Sequence, residues 1–299
     1  MYLSYSGYKT YHSCPRSYWH RYLGKTIPTV PDNRINMLYG SAVGTIFESF
    51  YNDKIWKRDN VLVALDTMIE PTVKRIVQEE MRKGGMFNWD DPKANYHSLD
   101  SVLDIVRKAI PNGLAIIKLH RFLGPLAEAE MKLDSEVSGH ILGGRADFVI
   151  KRTTPYGDLV ILDGKGSKHR EKYVDGMQLR WYAMLYRYRF QQLPDKLGFI
   201  FWRWAPPKSV DWVDFTPEGL SDLSDHAIGT IKHIEEGQVA LRGQAPTGEG
   251  PFPAVPEKQH CNLCSYVTLC PEGAAVTKSP LSLAPGGVAV EDVSLDVDL

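Results

Sequence analysis

Apolar positions along this chain change period twice. From 37 to 58, Leu38, Ala42, Val43, Ile46, Phe47, Phe50 and Ile55 recur every three or four places, which predicts an amphipathic helix. Further helical patterns cover 61–83 and 98–121, separated by a polar stretch holding Gly84-Gly85 and Asp90-Asp91-Pro92. Strand periodicity then takes over at 126–137, 141–150 and 158–163, with turn signals at Ser138-Gly139-His140 and Thr154-Pro155-Tyr156-Gly157. Helix returns at 175–192, followed by a strand over Leu197–Trp204, a short partner at 210–215 and a helix from Pro217 to Gly237. Before all of this, Ser4 or Ser6 caps a short helix ending near Cys14-Pro15, and a second runs from Pro15 to Leu23. Residues 274–299 are poor in aromatics and end in acidic repeats, the composition of a disordered tail. No internal repeat is present.

The order helix, three strands, helix, strand predicts an α/β fold with a central mixed sheet flanked by helices. Hydrophobic residues make up 43% of 299, enough for a sizeable core, and no stretch approaches the ~18 apolar residues of a membrane helix. Met1-Tyr2-Leu3-Ser4-Tyr5 lacks a secretory pattern, so a reducing cytoplasm is the expected compartment. Net charge is −1, so bulk charge does not by itself announce nucleic acid. The four cysteines divide one against three: Cys14 near the start, then Cys261, Cys264 and Cys270. Four thiols at such spacing suit zinc or an iron–sulfur cluster.

Of three D/E-x-K triplets, Asp91-Pro-Lys93 holds a proline in a polar loop and Glu130-Met-Lys132 opens a strand. Only Asp163-Gly-Lys165 ends an unbroken apolar run, Leu159–Leu162, and residues two apart on a strand share a face. Asp147 is the lone carboxylate of the preceding strand. Two carboxylates on neighbouring strands call for a cation between them, and oxygen ligation suits Mg²⁺ or Mn²⁺. Lys165 would then orient the attacking hydroxide. Gln178 and Tyr182, spaced i,i+4, share a helix face, as do Gly40, Gly44 and Glu48 on the earlier helix. Glu48 is a candidate third carboxylate. Glu128 and Glu130 read as surface charges of an edge strand.

In this order the residues resemble the RecB-type branch of the PD-(D/E)XK nucleases, with the CRISPR-associated RecB-like exonucleases, the AddB nuclease domain and phage-encoded relatives nearest in pattern. The resemblance spans 1–272 through Cys14, Gly40 to Glu48, Gly144 to Asp147, Asp163 to Lys165, Gln178 to Tyr182, and Cys261 to Cys270. It departs at Gly44, where the branch carries a metal-ligating histidine. The resemblance implies a restriction-endonuclease-like core and a Mg²⁺- or Mn²⁺-dependent exonuclease on single-stranded or frayed DNA ends, with endonuclease side activity allowed. Asp147, Asp163 and Glu48 would hold metal, Asp147, Asp163, Lys165, Gln178 and Tyr182 would serve catalysis, and Glu128 and Glu130 lie where the branch often has another acid near the metal. It further implies a [4Fe–4S] cluster on the four cysteines, with zinc the competing metal. Partners would come from recombination, replication or CRISPR systems, and oligomers occur in the group. The expected division is 1–36 and 241–273 for the iron–sulfur lobe, 37–59 for the first core helix, 60–122 for a helical insertion, 123–240 for the nuclease core and 274–299 for the tail. Arg16, Arg21, Lys168 and Arg170 are candidate phosphate contacts, the last two within the basic run Lys168, His169, Arg170 and Lys172. A degenerate DNA-binding module and a zinc-stapled interaction protein stand as alternatives.

Overall fold

The first strand, β1 (Tyr2–Ser4), runs directly into α1 (Tyr5–Ser13), because the Ser4 hydroxyl accepts the Gly7 N–H at 3.1 Å and so closes an open helix end. The structure is a computed structural model, which describes residues 1–30, 34–92, 94–124, 126–173 and 175–278. Lys93 of the first triplet and the tail residues 279–299 lie outside the described residues. Pro15 starts α2 (Pro15–Tyr18), which loosens into one π-helical turn over Trp19–Leu23. The helical run 15–23 is therefore present but not uniformly α. The long helices follow as α3 (Ile35–Asn52), α4 (Val61–Arg82) and α5 (Leu99–Leu119), the last capped by the Ser98 hydroxyl on the Ser101 N–H.

Two of the three strands expected between 126 and 163 are each split. The segment 126–137 forms β2 (Ala127–Lys132) and β3 (Ser135–Val137), and 141–150 forms β4 (His140–Gly143) and β5 (Arg145–Thr154). The first break follows from Ser135, whose buried hydroxyl donates to the Leu133 and Leu185 carbonyls and turns the chain out of one sheet. After β6 (Gly157–Lys165) come α6 (Met177–Phe190), β7 (Lys196–Phe201), β8 (Val210–Val213) and α7 (Pro217–Leu241). Two short helices close the described chain, α8 (Lys258–Cys261) and α9 (Pro271–Thr277). Helix α9 corrects the expectation of a structureless tail from 274: its first turn carries Pro271, which fits a helix start.

The five-stranded sheet has the order β2-β5-β6-β7-β8, with β6 and β7 parallel and the other neighbours antiparallel. A second sheet orders β1-β4-β3. Phe148, Ile150, Val160, Leu162 and Trp202 occupy one face of the large sheet and are buried together with Leu38, Ile46, Phe47 and Phe50 of α3 and Val106 and Ile110 of α5. Phe47 stacks on Trp202 at 4.6 Å. Helix α6 lies against β6 and β7. The architecture is thus a mixed five-strand sheet flanked by helices.

The described chain forms two compact units, one of Met1–Lys9 with Asp32–Ala240, the other of Thr10–Pro31 with the segment from Leu241. Among the described residues no helix is long and apolar enough to cross a membrane.

Candidate active site

The register of the large sheet lines up a row of acids. Phe148 pairs with Leu162, which sets Asp147 opposite Asp163 one step further along the same antiparallel ladder. Ala129 pairs with Phe148 and Met131 with Ala146, which sets Glu130 opposite Asp147. Residues facing each other across neighbouring strands share a sheet face. The hydrophobic run Leu159–Leu162 buries β6 and carries Asp163 down with it, leaving its side chain 1% exposed. Asp147 accepts the Gly164 N–H at 2.8 Å through Oδ2. The two expected aspartates do converge.

Lys165, two residues beyond Asp163, returns to the same face, and its ammonium meets Asp163 Oδ2 as an ion pair. That oxygen nevertheless accepts no hydrogen bond of ordinary geometry and is fully shielded from solvent. Burial raises the pKa of Asp163, opposed by Lys165. Burial, then the Asp163 charge, pushes Asp147 well above the usual carboxylate range.

From Lys165 a chain of hydrogen bonds leads into α6. Its ammonium donates to Gln178 Oε1 at 3.0 Å, and Gln178 Nε2 donates to the Tyr182 hydroxyl at 2.9 Å. An ammonium has only donors, so the amide must present its oxygen to Lys165 and its NH₂ to Tyr182. Tyr182 then accepts from Gln178 and keeps its own O–H for another acceptor. Burial, followed by Asp163, raises its pKa, so the phenol stays protonated. Tyr173 and Phe199 wall the ammonium at 5.1 and 5.4 Å from their ring centres. Tyr173 comes from a 3₁₀ turn, Arg170–Tyr173, whose sequence reads only as part of a basic loop.

Glu130 corrects the reading of that residue as a plain surface charge. Its backbone has φ +54°, in the left-handed region, inside a strand. Such a conformation costs a non-glycine residue about 1–2 kcal/mol. Burial raises its pKa, followed by the charge of Glu48, while Arg145 at 3.4 Å lowers it and Asp163 adds a smaller raise. Glu48, on α3, thus acts on Glu130. The signal available in the sequence is the resemblance, whose branch often has another acid near the metal at this strand; the left-handed backbone itself has no local signal, since Glu does not favour it.

Two candidate phosphate contacts are used elsewhere. Arg16 is buried and donates to the Phe252 carbonyl at 2.9 Å and the Gly248 carbonyl at 3.0 Å. Arg170 donates to Asp211 at 2.6 Å and to the Lys208 carbonyl at 2.6 Å, and lies over the Phe201 and Trp204 rings. Both guanidiniums are thus tied to the protein, Arg16 in a buried position and Arg170 with 23% of its side chain still in solvent. Arg21 and Lys168 are exposed.

Cys14, Cys261, Cys264 and Cys270 all fall in the second unit as free thiols. Burial, then Cys264 and Cys14, raises the pKa of Cys261, and burial pushes Cys270 up to about 11. A side chain at Gly273 would touch the sulfurs of Cys261 and Cys270, each 3.5 Å away. The expected ligand geometry is not there as it stands: among the described residues no group of three or more His, Cys, Asp or Glu is set to hold a metal ion. That finding covers both the thiols and the acidic row. Asp163 is drawn onto Lys165.

The acidic row fits a divalent cation on other grounds. Its donors are hard oxygens, one of them buried without a directed hydrogen bond; burial raises the pKa of all three carboxyls, and neighbouring carboxylates add to it for Glu130 and Asp147. A cation among them relieves both penalties.

Paired aspartates and a lysine on adjacent strands of a mixed sheet, braced from one helix, define a nuclease core. Residues 2–271 match the PD-(D/E)XK nuclease superfamily, and the chain belongs to it. Metal-dependent phosphodiester hydrolysis, with DNA as substrate, is what membership implies. No curated protein matches the chain. Eight chains of solved structures do, among them one described as "Crystal structure of SSO0001", at 14% identity and a TM-score of 0.31, over 86% of this chain and 93% of that one. A likeness that distant adds nothing to the site.

Proposed function

We propose that the protein is an exonuclease that hydrolyses DNA from single-stranded or frayed ends, using Asp147, Asp163 and Lys165. The observation that carries this reading is the contact of Lys165 with both Asp163 and Gln178, with Asp147 facing Asp163 from the next strand. Asp147 and Asp163 would hold Mg²⁺ or Mn²⁺, and Glu130, flanked by Glu48, extends the acidic row toward α3. When bound, such a cation would supply Lewis acidity to the phosphate and a bound water that gives up a proton more readily than bulk water.

The chain's own groups do the rest. Lys165, fixed by Gln178 and walled by Tyr173 and Phe199, places one positive charge where the attacking oxygen and the phosphorane gain negative charge. Tyr182, protonated and accepting from Gln178, offers its O–H to a phosphate oxygen or to the departing oxygen. Water gives one proton to solvent as its oxygen bonds to phosphorus, the P–O bond to the leaving nucleotide breaks, and the leaving oxygen takes a proton from the Tyr182 hydroxyl, which solvent restores. Holding these groups on a rigid sheet and one helix provides the orientation such a reaction needs.

In the second unit the four thiols would bind a [4Fe–4S] cluster, or zinc. Support comes from their shared unit, the charge coupling of Cys261 to Cys264 and Cys14, and the two sulfurs bordering Gly273. Brown colour and iron content after anaerobic purification support the cluster, and zinc content alone rejects it.

The test of the exonuclease reading compares linear, end-labelled single-stranded DNA with a covalently closed circle of the same sequence, each with Mg²⁺ or Mn²⁺. Loss of the linear strand with the circle spared is the expected outcome. Equal cutting of the circle replaces it with an endonuclease, and cutting of neither leaves a DNA-binding descendant of the superfamily.

A further inference from the structure

The first unit holds a cavity of about 300 Å³ that opens onto the relay tyrosine. Tyr2, Tyr5, Lys132, Arg145 and Tyr182 form most of its wall, with Asp134 paired to Lys132 at 2.9 Å. Tyr2 is the most exposed aromatic residue among the described ones, at 52%. It is held in place, not loose. Leu3 is buried between Tyr2 and Ser4 on β1, and the register Tyr2 to Ile141 and Ser4 to Gly143 fixes that strand against β4. A side chain at Gly143 would run into the Tyr2 ring, so glycine there leaves room for the ring beside the backbone. Tyr5 faces the acidic row: burial, then Asp175 and Asp163, pushes its pKa up to about 12, so its ring stays neutral. Arg145 and Lys132 leave 61% and 67% of their side chains in solvent.

An ordered, solvent-facing aromatic ring is poor core material and good stacking material. Bases stack on such rings whatever their identity, while nearby cations take the phosphates. The volume sits at the small end of the range for ligand pockets, about 300–1,000 Å³, so it admits one unit of a polymer and no duplex. Tyr182 joins this cavity to Lys165 through Gln178, which places an occupant next to the reacting phosphodiester.

We infer that this cavity is a single-nucleotide subsite, in which Tyr2 stacks the base next to the scissile phosphodiester and Arg145 and Lys132 hold the adjoining phosphates. It rests on the hydrolase reading above and gives it a cause for end preference. A base pair must open before a base can enter, so strands that are already single or frayed are admitted and closed duplex is not.

The test uses short single-stranded DNA oligonucleotides, each with one abasic site at a different position. They are titrated into the full chain in EDTA, so that nothing is cut, and scored by fluorescence anisotropy. One position is expected at which loss of the base weakens binding about tenfold, within the range for aromatic stacking. Tyr2→Phe keeps that position-specific loss, and Tyr2→Ala removes it by binding every member of the series as weakly as the wild type binds the sensitive one. Arg145→Ala weakens all members alike and lowers the salt dependence of binding. A profile with no sensitive position, or one that persists unchanged in Tyr2→Ala, overturns the subsite. Adding Mn²⁺ to the same series separates the two readings: cleavage with a flat binding profile removes the subsite alone, and base-sensitive binding without cleavage removes the hydrolase alone.

Discussion

Replacing Asp147 by asparagine separates a cation seat from a structural carboxylate. The amide oxygen that Asp147→Asn introduces can still accept the Gly164 N–H now bound at 2.8 Å, so no hydrogen bond is lost and only a charge disappears. Two carboxylates on facing strand positions, about 5 Å apart, repel by about 1–3 kcal/mol at effective dielectric constants between water and protein. In the cation-free protein the substitution is therefore expected to raise the melting temperature by several degrees at neutral pH, since about 1 kcal/mol moves a domain of this size by about 2–4 °C. The sign with pH follows from the raised pKa of Asp147, which lies above its ordinary value of 3.8. The folded protein holds that proton more tightly than the unfolded chain, so the stabilisation is complete below about pH 3.8 and is lost as pH rises through the folded-state value. The gap between Asp147→Asn and wild type should thus shrink as pH falls below neutral. With Mn²⁺ at a hundred times its Kd the wild type gains about 2.7 kcal/mol, roughly 5–11 °C, and the variant gains little of it. Differential scanning calorimetry with and without Mn²⁺, at three pH values, reads all of this. A variant that melts several degrees below wild type without cation, yet shows the full Mn²⁺ shift, would refute the reasoning.

Three further outcomes follow from the same geometry. A side chain at Gly44 meets nothing within 4 Å, so Gly44→His should fold with undiminished stability and, adding an imidazole to an oxygen site, raise the ratio of Mn²⁺- to Mg²⁺-supported activity; an unchanged ratio places the cation away from α3. Gln178→Ala cuts the tie between Lys165 and Tyr182 and should lower kcat about tenfold to a hundredfold with little change in melting, measured by single-turnover cleavage. Gly113→Ala drives a methyl into the Phe47 ring and should cost about 1–3 kcal/mol, whereas Gly229→Ala in α7, with nothing within 4 Å, should gain up to about 1 kcal/mol, both read by denaturant unfolding.

How much of this is legible in the chain depends on how local each cause is. Helix α3 and strand β6 come through because periodicity and an unbroken apolar run act over neighbouring residues. Asp147, Asp163 and Lys165 can be placed together because strand parity is a local rule, and Gln178 with Tyr182 because helical spacing is another. The split of 126–137 stays hidden because its cause, the Ser135 hydroxyl on the Leu185 carbonyl, joins residues fifty positions apart. The fates of Arg16 and Arg170 are equally remote, set by carbonyls at 248 and 252 and by Asp211. For Glu130 the resemblance points toward the metal while alternation points to a surface, and only the fold decides between them, setting it within reach of the charges of Glu48 and Asp163. The membership in a nuclease superfamily rests on the order of the pieces, which no single piece carries.

The most direct measurement is the rate at which purified Asp163→Asn and Lys165→Met proteins cleave end-labelled single-stranded DNA with Mn²⁺, beside wild type prepared identically. With a cooperative melting transition confirming that each is folded, both variants should lose at least about a hundredfold to a thousandfold in rate, the effect of removing an electrostatic group from a reacting centre. Cleavage at the wild-type rate by either folded variant would mean that phosphodiesters are not hydrolysed at this row of acids.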